Sequence, residues 1–505
     1  YYGNIGVQPI DSFAFLDTGY SILKNKHPIK DYWVISGPFI DYVQAIFFKL
    51  FGVNWFSYVF HASIFNLIIA ASLFATLTKH NLNFFISFIY SISASILCYP
   101  VIGTPFSYQH SFVLSLVCIL IFSVAIKSKS SQLWFLLPII MVLAFLSQQV
   151  PAGYINLLLV ISITIYFFTK KNRNDITLFF LGSASICIYL FLHLLIIKIP
   201  FLSFIEQIFL FPLTIGEGRI VGSDEAYAAA NLFKKFTFRG VFGHFKFIHL
   251  FSFGLIFLVF LNWKNKTKVP DVKKDILISI LLILSSFFYI FHQLITANQT
   301  FIFALIPILA GFFHYQINFY IPKKNYLNFI ILIIVVFITF KYHNEYNVKR
   351  KFVDLQNVNL AKAVDASLID KKFEGLKWIT PYNKDPVKEI NLINDTIKKI
   401  KNDQREKMII THYQFFSFVL EEDLNIPNRW YFLDNNTFPL INHEHFEIYK
   451  KHFNKNLKKN NIQVIYIVDK ELKIEVFKTY LDDICFESSY ENDITSVHEL
   501  KACES

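Results

Sequence analysis

The stretch "FSYVFHASIFNLIIAASLFATLT", residues 56–78, runs without a single Asp, Glu, Lys or Arg. A helix needs about 20 mostly apolar residues to cross the hydrocarbon core of a bilayer, so this stretch predicts a membrane-spanning helix. The whole chain of 505 residues is 54% hydrophobic and only 17% charged, whereas soluble proteins carry about 25% charged residues. The sequence therefore predicts a polytopic α-helical membrane protein.

Working outward from this stretch, the apolar runs predict about ten spans. They lie near 56–78, 83–101, 110–126, 133–147, 153–168, 176–197, 246–262, 275–293, 300–319 and 327–340.

The short loops between these spans alternate in charge. One set is basic and includes "WKNKTKVPDVKKD" (263–275), whereas "IGTPFSYQ" (102–109), "QQVPA" (148–152) and "LITANQ" (294–299) contain no Lys or Arg. Basic short loops stay in the cytoplasm, so residues 1–55, the loop 198–245 and the tail 341–505 are expected on the outer side. The net charge of +11 is then a topology signal with some affinity for anionic lipid, and not a nucleic-acid patch.

Three regions follow from this topology: a first exterior loop (1–55), a transmembrane domain (56–340) that includes the exterior loop 198–245, and an exterior C-terminal domain (341–505). In the last region "KMIIT" and "VIYIV" predict buried strands, and "HEHFEIYKKHFNKNLKK" predicts an amphipathic helix between them. This alternation is typical of a small α/β domain. Cys485 and Cys503 both belong to it, and they are either a disulfide pair or two separate thiols.

The first exterior loop predicts two amphipathic helices lying on the membrane surface. One apolar stripe begins at Ile10 and ends at Leu23, and the second runs from Ile40 to Leu50. In the loop 198–245, "IPFLSFIEQIFLFP" is too short to span a membrane and contains Glu206, so it predicts an interfacial helix, and "GEGRIVGSDEAY" follows as a candidate lid.

Asp11 is the candidate for catalysis. A carboxylate there could accept a proton from a hydroxyl nucleophile or help to bind a divalent cation, and an ordinary helix N-cap explains the same residue. Asp31 in "KDYW" is in turn consistent with a simple turn residue.

Polar side chains recur at the outer ends of the spans. These amides and histidines could bind a sugar or phosphate, or they could cap helices and satisfy interface positions. They are His110, Gln148, Gln149, Asn298 and Gln299.

The first loop and two later outer turns resemble the GT-C membrane glycosyltransferases, the superfamily that includes protein O-mannosyltransferases and lipid A aminoarabinose transferases. The resemblance rests on "DSFAFLDTGYSILKNKHPIKDYW" (11–33), "GPFIDYVQAIFFKLFGVNWFS" (37–57), "FLSQQVPAGY" (145–154) and "NQTFIFALIPILAGF" (298–312). Together with an exterior α/β domain, the similarity covers most of the chain.

The resemblance implies a polyprenyl-phosphate-linked sugar donor, with Asp11 as the catalytic acid and Asp31 as the second acid of the loop. The other implied substrate-binding residues are Tyr32, His110, Gln148, Gln149, Asn298 and Gln299. The sugar acceptor would be a lipid-linked glycan, a lipid A core or a protein, reached on the periplasmic side of a bacterial inner membrane.

The chain also departs from the family. Ser12 stands where many relatives have a second acid, and "SGPF" (36–39) replaces Lys-Pro-Pro. A divalent cation is therefore a possible cofactor and not an expected one. The sequence leaves two alternatives to an enzyme: a transport role in envelope polysaccharide export, and a non-catalytic glycan-binding protein.

Overall fold

The computed structural model describes the chain except for residues 129, 171, 222–235, 265–270, 297–301, 322–324, 351–354, 470, 482–483 and 503–505. Within the described residues, each of the ten predicted apolar stretches contains a helix. These helices are Trp55–Lys79, Phe84–Cys98, Ser107–Lys127, Gln132–Phe145, Gln149–Lys170, Arg173–Ile197, Lys246–Lys264, Val272–Ile295, Leu305–Ile317 and Asn325–His343.

Residues at the ends of these helices explain where the helices begin and end. Asn54 begins the first helix and its side chain accepts a hydrogen bond from the Ser57 N–H, which satisfies one of the unpaired donors of a helix start. Lys79 and Lys127 lie in the last turns of their helices, where a cation interacts favourably with the helix dipole. The residues that indicate topology therefore also stabilise the helix ends.

The helices occupy different layers of the membrane region. In the most apolar part of Ser107–Lys127, 89% of the residues are buried inside the protein, against 11% in Arg173–Ile197. Ser107–Lys127 is therefore central, and Arg173–Ile197 presents most of its surface to lipid. By length and apolarity alone, eight helices among the described residues can cross a membrane, and the helices Phe84–Cys98, Gln132–Phe145 and Leu305–Ile317 are apolar but shorter.

The segment predicted as a short interfacial helix is longer than expected. Residues Phe201–Ile220 form a continuous apolar helical stretch of 20 residues, which is long enough to cross a membrane. The prediction that it is too short was wrong, because the helix continues through Pro212 into the glycine-containing sequence that follows. It nevertheless contacts the C-terminal domain: Glu206 forms an ion pair with His445, and the Phe211 ring meets the His443 ring with ring centres 5.3 Å apart.

The first exterior loop forms three helices: Pro9–Ser12, Leu16–Leu23 and Phe39–Phe51. The expectation that the first apolar stripe faces the membrane was wrong. Phe13 from that stripe is fully buried, stacks on Trp378 at 5.8 Å and meets Phe415 edge to face at 5.0 Å. The stripe buries its apolar surface against the C-terminal domain.

The helix Phe39–Phe51 contains the second predicted apolar stripe, which is buried at its start and exposed at its end. Ile40 is buried while Ile46 and Leu50 are 55% and 68% exposed, so one face is left for lipid. The helix ends at Gly52, whose φ of 88° lies in the region that favours glycine.

The described residues of the C-terminal domain form six strands: β1 (Val364–Asp365), β2 (Lys377–Trp378), β3 (Lys407–Thr411), β4 (Val464–Val468), β5 (Ile484–Glu491) and β6 (Thr495–Ala502). The main sheet has the order β3-β4-β6-β5. β3 and β4 are parallel, with Lys407 opposite Val464, and every residue of both strands is buried.

Helices cover this sheet. The predicted amphipathic helix spans Phe446–Lys459 and lies in the connection between β3 and β4, and Pro386–Asn402 precedes β3. The two predicted strands and the helix between them are confirmed. Cys485 is disulfide-bonded, and Cys503, its predicted partner, lies outside the described residues.

Backbone hydrogen bonds join the first exterior loop to the C-terminal domain. The Gly6 and Val7 N–H groups donate to the carbonyls of Lys377 (2.9 Å) and Ile379 (3.0 Å), and the Trp33 N–H donates to Pro427 O at 2.8 Å. The protein is thus a polytopic helical membrane protein with a C-terminal α/β domain that holds the first exterior loop.

Candidate functional site

A cavity of about 560 Å³ lies where one set of ends of the membrane helices meets the C-terminal domain. Its size falls in the range of small-molecule sites, about 300–1,000 Å³. Its described lining residues come from the first exterior loop, the starts of two membrane helices, the end of the helix Val272–Ile295, the segment after Phe211, and a loop of the C-terminal domain. The charged and polar lining residues include Gln8, Asp11, Ser36, Ser107, Gln148, Gln149, Arg219, His292, Asp434, Asn436 and Thr437.

Asp11 lies on this wall because of a short helix. Pro9 takes the first turn of Pro9–Ser12, where its missing N–H costs nothing, and the Gln8 N–H donates to Ser12 Oγ at 3.0 Å. Ile10 is buried beneath the helix, which leaves Asp11 half-buried at the cavity. The N-cap interpretation of Asp11 was wrong, since Gln8 occupies the N-cap position.

Gln148 and Gln149 also line the cavity, and each makes a structural contact. Gln148 Oε1 accepts a hydrogen bond from Ser107 Oγ at 3.0 Å, and Gln149 Nε2 donates to Ile208 O at 3.1 Å. Gln148 thus connects the starts of two membrane helices, and Gln149 connects one of them to the helical segment that contains Arg219. A primary amide has two donors and an acceptor with two lone pairs, so these contacts use only part of the capacity of either side chain.

The structure adds cavity residues that sequence reasoning did not select. Arg219, Asp434 and Trp430 come from segments more than 200 residues away from Asp11 in the chain. Arg219 is the only Lys or Arg among the described residues that line the cavity. Arg219 could have been selected from the sequence as an isolated cation within the candidate lid "GEGRIVGSDEAY".

Aromatic side chains form the part of the wall nearest the membrane helices. Tyr108 stacks on His292 with ring centres 5.3 Å apart and an interplanar angle of 16°. Phe106, Tyr154 and Ile295 line the same cavity. The site therefore combines an apolar surface with a few charges, as expected for a ligand that is partly lipid.

Asp31 does not line the cavity. It is buried beneath the C-terminal domain, where it accepts hydrogen bonds from Lys459 Nζ at 2.6 Å and from the His27 N–H at 2.8 Å. Burial alone would raise the pKa of Asp31, but these two donors hold the pKa below its usual value. The carboxylate is thus charged and already paired.

Tyr32 and His110 are also buried away from the cavity lining. Burial raises the pKa of the Tyr32 phenol well above its usual value. His110 Nδ1 is 2.8 Å from Phe106 O and its Nε2 is 2.9 Å from Nε2 of His61. Asn298 and Gln299, the remaining predicted substrate-binding residues, lie outside the described residues.

A buried ion pair supports the cavity wall from behind. Arg429 of the C-terminal domain contacts the Asp41 carboxylate and donates to Ser36 Oγ at 2.5 Å. Arg429 and Asp41 are 1% and 0% exposed. Since Ser36 and the neighbouring Trp430 both line the cavity, this pair fixes two wall elements relative to each other.

No metal centre is found in the part of the chain that the structure describes. No three or more of its His, Cys, Asp and Glu side chains are grouped so that they could hold a metal ion. Asp11 and Asp434 are the two carboxylates among the described lining residues.

Comparison with solved structures shows a similarity over most of the chain. The chain resembles the crystal structure of ArnT from Cupriavidus metallidurans in the apo state, with 11% sequence identity, a TM-score of 0.40, and coverage of 98% of this chain and 94% of that chain. No protein-family model matches the sequence, and no curated protein matches it. At this identity and TM-score, a functional assignment must come from the residues of the chain itself.

Proposed function

We propose that this protein is a GT-C type glycosyltransferase of the bacterial inner membrane. It transfers a hexose or pentose from a polyprenyl-phosphate-linked donor to an acceptor on the periplasmic face. The acceptor is a lipid-linked glycan, a lipid A core or a protein. The observation that carries the proposal is that Asp11 and Arg219 line one cavity at the outer helix ends, beside an apolar wall.

Each part of such a donor has a matching group in the cavity. A guanidinium is a strong partner for a phosphate because it donates two parallel hydrogen bonds, which is the role we assign to Arg219. The apolar side chains Ile215, Ile220 and Ile295 would contact the first isoprene units. The donor then needs no water-filled path through the helices, since its lipid tail can stay at membrane level.

The proposed reaction is a direct displacement at the anomeric carbon. The acceptor hydroxyl oxygen forms a bond to that carbon, the bond from the carbon to the phosphate oxygen breaks, and the polyprenyl phosphate leaves with the bonding electron pair. The Asp11 carboxylate takes the proton of the attacking hydroxyl, and Arg219 stabilises the negative charge that develops on the phosphate. General-base catalysis of this kind contributes about 10²–10⁴-fold to a rate.

A transport role is the alternative that one observation favours. Asp275 at the start of Val272–Ile295 is 1% exposed and pairs with Lys127 at 2.5 Å, and buried carboxylates in membrane helices are typical of coupled transporters. Tyr315 also contacts this pair. The pair lies at the helix ends with basic loops, at the opposite ends of the helices from the cavity.

The test is transfer of radiolabelled sugar from farnesyl- or longer polyprenyl-phosphate donors in proteoliposomes that contain candidate acceptor lipids. We expect transfer by the wild type and a loss of at least about 100-fold in Asp11→Asn, with donor binding retained. Equal transfer in both proteins would remove Asp11 from the mechanism.

The same proteoliposomes separate the alternative from the enzyme. Movement of a polyprenyl-linked glycan across the bilayer without any new glycosidic bond, abolished by Asp275→Asn and unaffected by Asp11→Asn, would establish transport. The glycosyltransferase requires the reverse pattern.

A further inference from the structure

One wall of the cavity is a loop of the C-terminal domain, residues 432–437. Four side chains of this loop line the cavity: Phe432, Asp434, Asn436 and Thr437. The reaction proposed above uses none of them. An aromatic ring, a carboxylate, an amide and a hydroxyl on one loop form a second binding surface within the same cavity, separate from the apolar wall that suits a lipid.

The Asp434 carboxylate is fixed in position and has no cationic partner. The Asn436 backbone N–H donates to Asp434 Oδ1 at 3.1 Å, and Asn436 Nδ2 donates to Asp434 Oδ2 at 2.7 Å. Within the described part of the chain Asp434 forms no ion pair, and its side chain is half-buried at the cavity. A carboxylate has about four acceptor sites, so Asp434 can accept further hydrogen bonds from the hydroxyl groups of a ligand.

The Phe432 ring is an exposed apolar surface beside this carboxylate. It is 40% exposed, and among the described residues no other aromatic ring packs on it. Thr437 Oγ1 donates to Phe432 O at 3.0 Å, which holds the loop backbone before any ligand arrives and so lowers the entropic cost of binding. A large apolar group left exposed beside a cavity indicates contact with a ligand. A sugar ring has such a complementary surface, because its C–H groups form an apolar face.

The charges of the lining residues restrict which ligand can occupy this wall. Arg219 is the only Lys or Arg among the described lining residues, and the donor phosphate uses it. Asp11 and Asp434 are both carboxylates, so a second anionic ligand would meet like charges in a partly buried site, which is unfavourable. A neutral ligand with several hydroxyl groups fits the remaining space.

We infer that the acceptor presents a neutral sugar to the loop 432–437. Asp434 accepts hydrogen bonds from its hydroxyl groups, and Phe432 packs against a C–H face of its ring. This inference rests on the proposed function and narrows it: of the three acceptor classes, it selects a lipid-linked glycan whose terminal sugar carries no phosphate. The C-terminal domain then determines the acceptor, while the membrane helices and the segment after Phe211 determine the donor.

Asp370 provides a matched control for Asp434. It is also a half-buried carboxylate of the C-terminal domain, and it accepts a hydrogen bond from a backbone N–H two residues later, that of Lys372 at 2.8 Å. It forms no ion pair within the described residues, and it does not line the cavity. Substitution by Asn removes one negative charge at either position, but only Asp434→Asn removes it from the cavity wall.

The experiment measures binding of water-soluble butyl glycosides to the full chain in nanodiscs. Farnesyl phosphate is added in excess so that Arg219 is occupied. A panel of neutral hexosides and pentosides is compared with the same compounds phosphorylated on the sugar. We expect at least one neutral glycoside to bind, and to bind at least about tenfold more tightly than its phosphorylated form, because the latter faces an unpaired carboxylate.

Asp434→Asn separates the charge of this residue from its shape. It should weaken the neutral glycoside about tenfold, because hydrogen bonds to a charged group are the stronger ones. It should also reduce the preference over the phosphorylated form to within about threefold, since the repelling charge is gone. Asp370→Asn should change neither quantity.

Phe432 is tested by two substitutions of an exposed side chain. Phe432→Ala removes the ring and should weaken the neutral and the phosphorylated glycoside by the same factor, about tenfold. Phe432→Tyr keeps an aromatic face and should retain the binding of both. The two residues are thus distinguished by whether the preference for a neutral sugar changes.

Four results would overturn the inference: no neutral glycoside binds, the phosphorylated forms bind the wild type as tightly as the neutral ones, Asp434→Asn leaves the preference unchanged, or Phe432→Ala has no effect. A merely structural role for Asp434 would weaken both forms equally and give the third of these.

Failure of the inference is distinct from failure of the proposed function. Sugar transfer that depends on Asp11 but proceeds equally well in Asp434→Asn and Phe432→Ala would contradict the inference alone. Glycoside binding that depends on Asp434, without transfer to any acceptor lipid, would contradict the enzyme and leave a glycan-binding protein.

Discussion

Asp11 and Asp31 belong to one exterior loop, yet the two parts of that loop serve different purposes. The part around Asp11 presents a half-buried carboxylate to a cavity, whereas the part around Asp31 is buried and its carboxylate is paired with Lys459. Equal residue types in one loop therefore do not imply a shared site. A carboxylate needs a path to the substrate to act on it, and only Asp11 lies on the wall of the cavity.

The strongest test of this difference is to make the same substitution at Asp11 and at Asp31. Asp11→Asn should reduce sugar transfer about 10²–10⁴-fold, while Asp31→Asn should retain transfer within about threefold when equal amounts of folded protein are compared. The proteoliposome assay measures both. A loss of similar size in Asp31→Asn, with an unchanged melting temperature, would show that both acids act on the substrate.

The buried pair of Asp41 and Arg429 should produce the largest effect on stability. Asp41→Asn leaves a guanidinium buried without a counter-charge, which costs about 3–5 kcal/mol. We expect a lower thermal unfolding temperature in nanodiscs and faster proteolysis between the membrane helices and the C-terminal domain.

The double variant Asp41→Leu with Arg429→Met serves as the control for this pair, since it removes both charges. It should recover most of the stability that Asp41→Asn loses. Failure to recover would mean that the charges themselves, and not the absence of an unpaired one, determine how the domain is held.

Breaking the ion pair between Asp31 and Lys459 should have a smaller effect on stability. Lys459→Met removes a partner whose side chain is 43% exposed, so we expect a loss of about 1 kcal/mol in the free energy of unfolding. Since the pKa of Asp31 is held below its usual value, this contribution is present above the unfolded pKa and is lost as pH falls through the folded one. It should therefore not change between pH 5 and pH 8.

Lys388 supplies the matched control for this experiment. It pairs with Asp493 at 2.8 Å, and both side chains are 60% exposed. Lys388→Met should leave the melting temperature unchanged, because exposed ion pairs contribute little. Equal losses in Lys388→Met and Lys459→Met would contradict a structural role for Asp31.

Titration of Asp17 should have the smallest effect on stability. Unlike the other predicted effects, it should change near neutral pH. Asp17 is fully buried and accepts hydrogen bonds from the backbone N–H groups of Ser417 (3.2 Å) and Phe418 (2.8 Å), and burial raises its pKa to about 7. Its folded pKa exceeds its unfolded value, so its stabilising contribution is complete below the unfolded pKa and is lost as pH rises through about 7.

Between pH 6 and pH 8 this linkage amounts to about 1 kcal/mol. Thermal unfolding of the wild type should therefore occur at a lower temperature at pH 8, and the difference should shrink in Asp17→Asn. If Asp17→Asn kept the pH dependence of the wild type, a group other than Asp17 would be its cause.

The elements of this fold could be predicted from local sequence, because each depends on neighbours in the chain. Membrane helices follow from uncharged runs, and the strands β3 and β4 follow from short apolar runs beside polar turns. The stripe that begins at Ile10 was predicted correctly as one apolar face and incorrectly as membrane-bound. Periodicity reveals that a face is apolar, but it does not reveal what covers that face.

The cavity was less predictable for the same reason. Asp11 and the two glutamines could be selected from a resemblance and from their place at helix ends. Arg219 and Trp430 join them only after segments far apart in the sequence pack together, and the pairing of Asp31 depends on a lysine more than 400 residues later. No local pattern contains such contacts.

The hydrogen bonds between the first exterior loop and the C-terminal domain have a consequence for how the protein is made. A ribosome adds about 5–20 residues per second, so roughly 20–80 s separate the synthesis of Trp33 from that of Pro427, its backbone partner. During this interval the membrane helices can insert, while Phe13 and its neighbours have no partner surface to cover them. The nascent chain must keep this apolar stripe from aggregating until its last third has been synthesised and folded, and the cavity is completed only at the end of biogenesis.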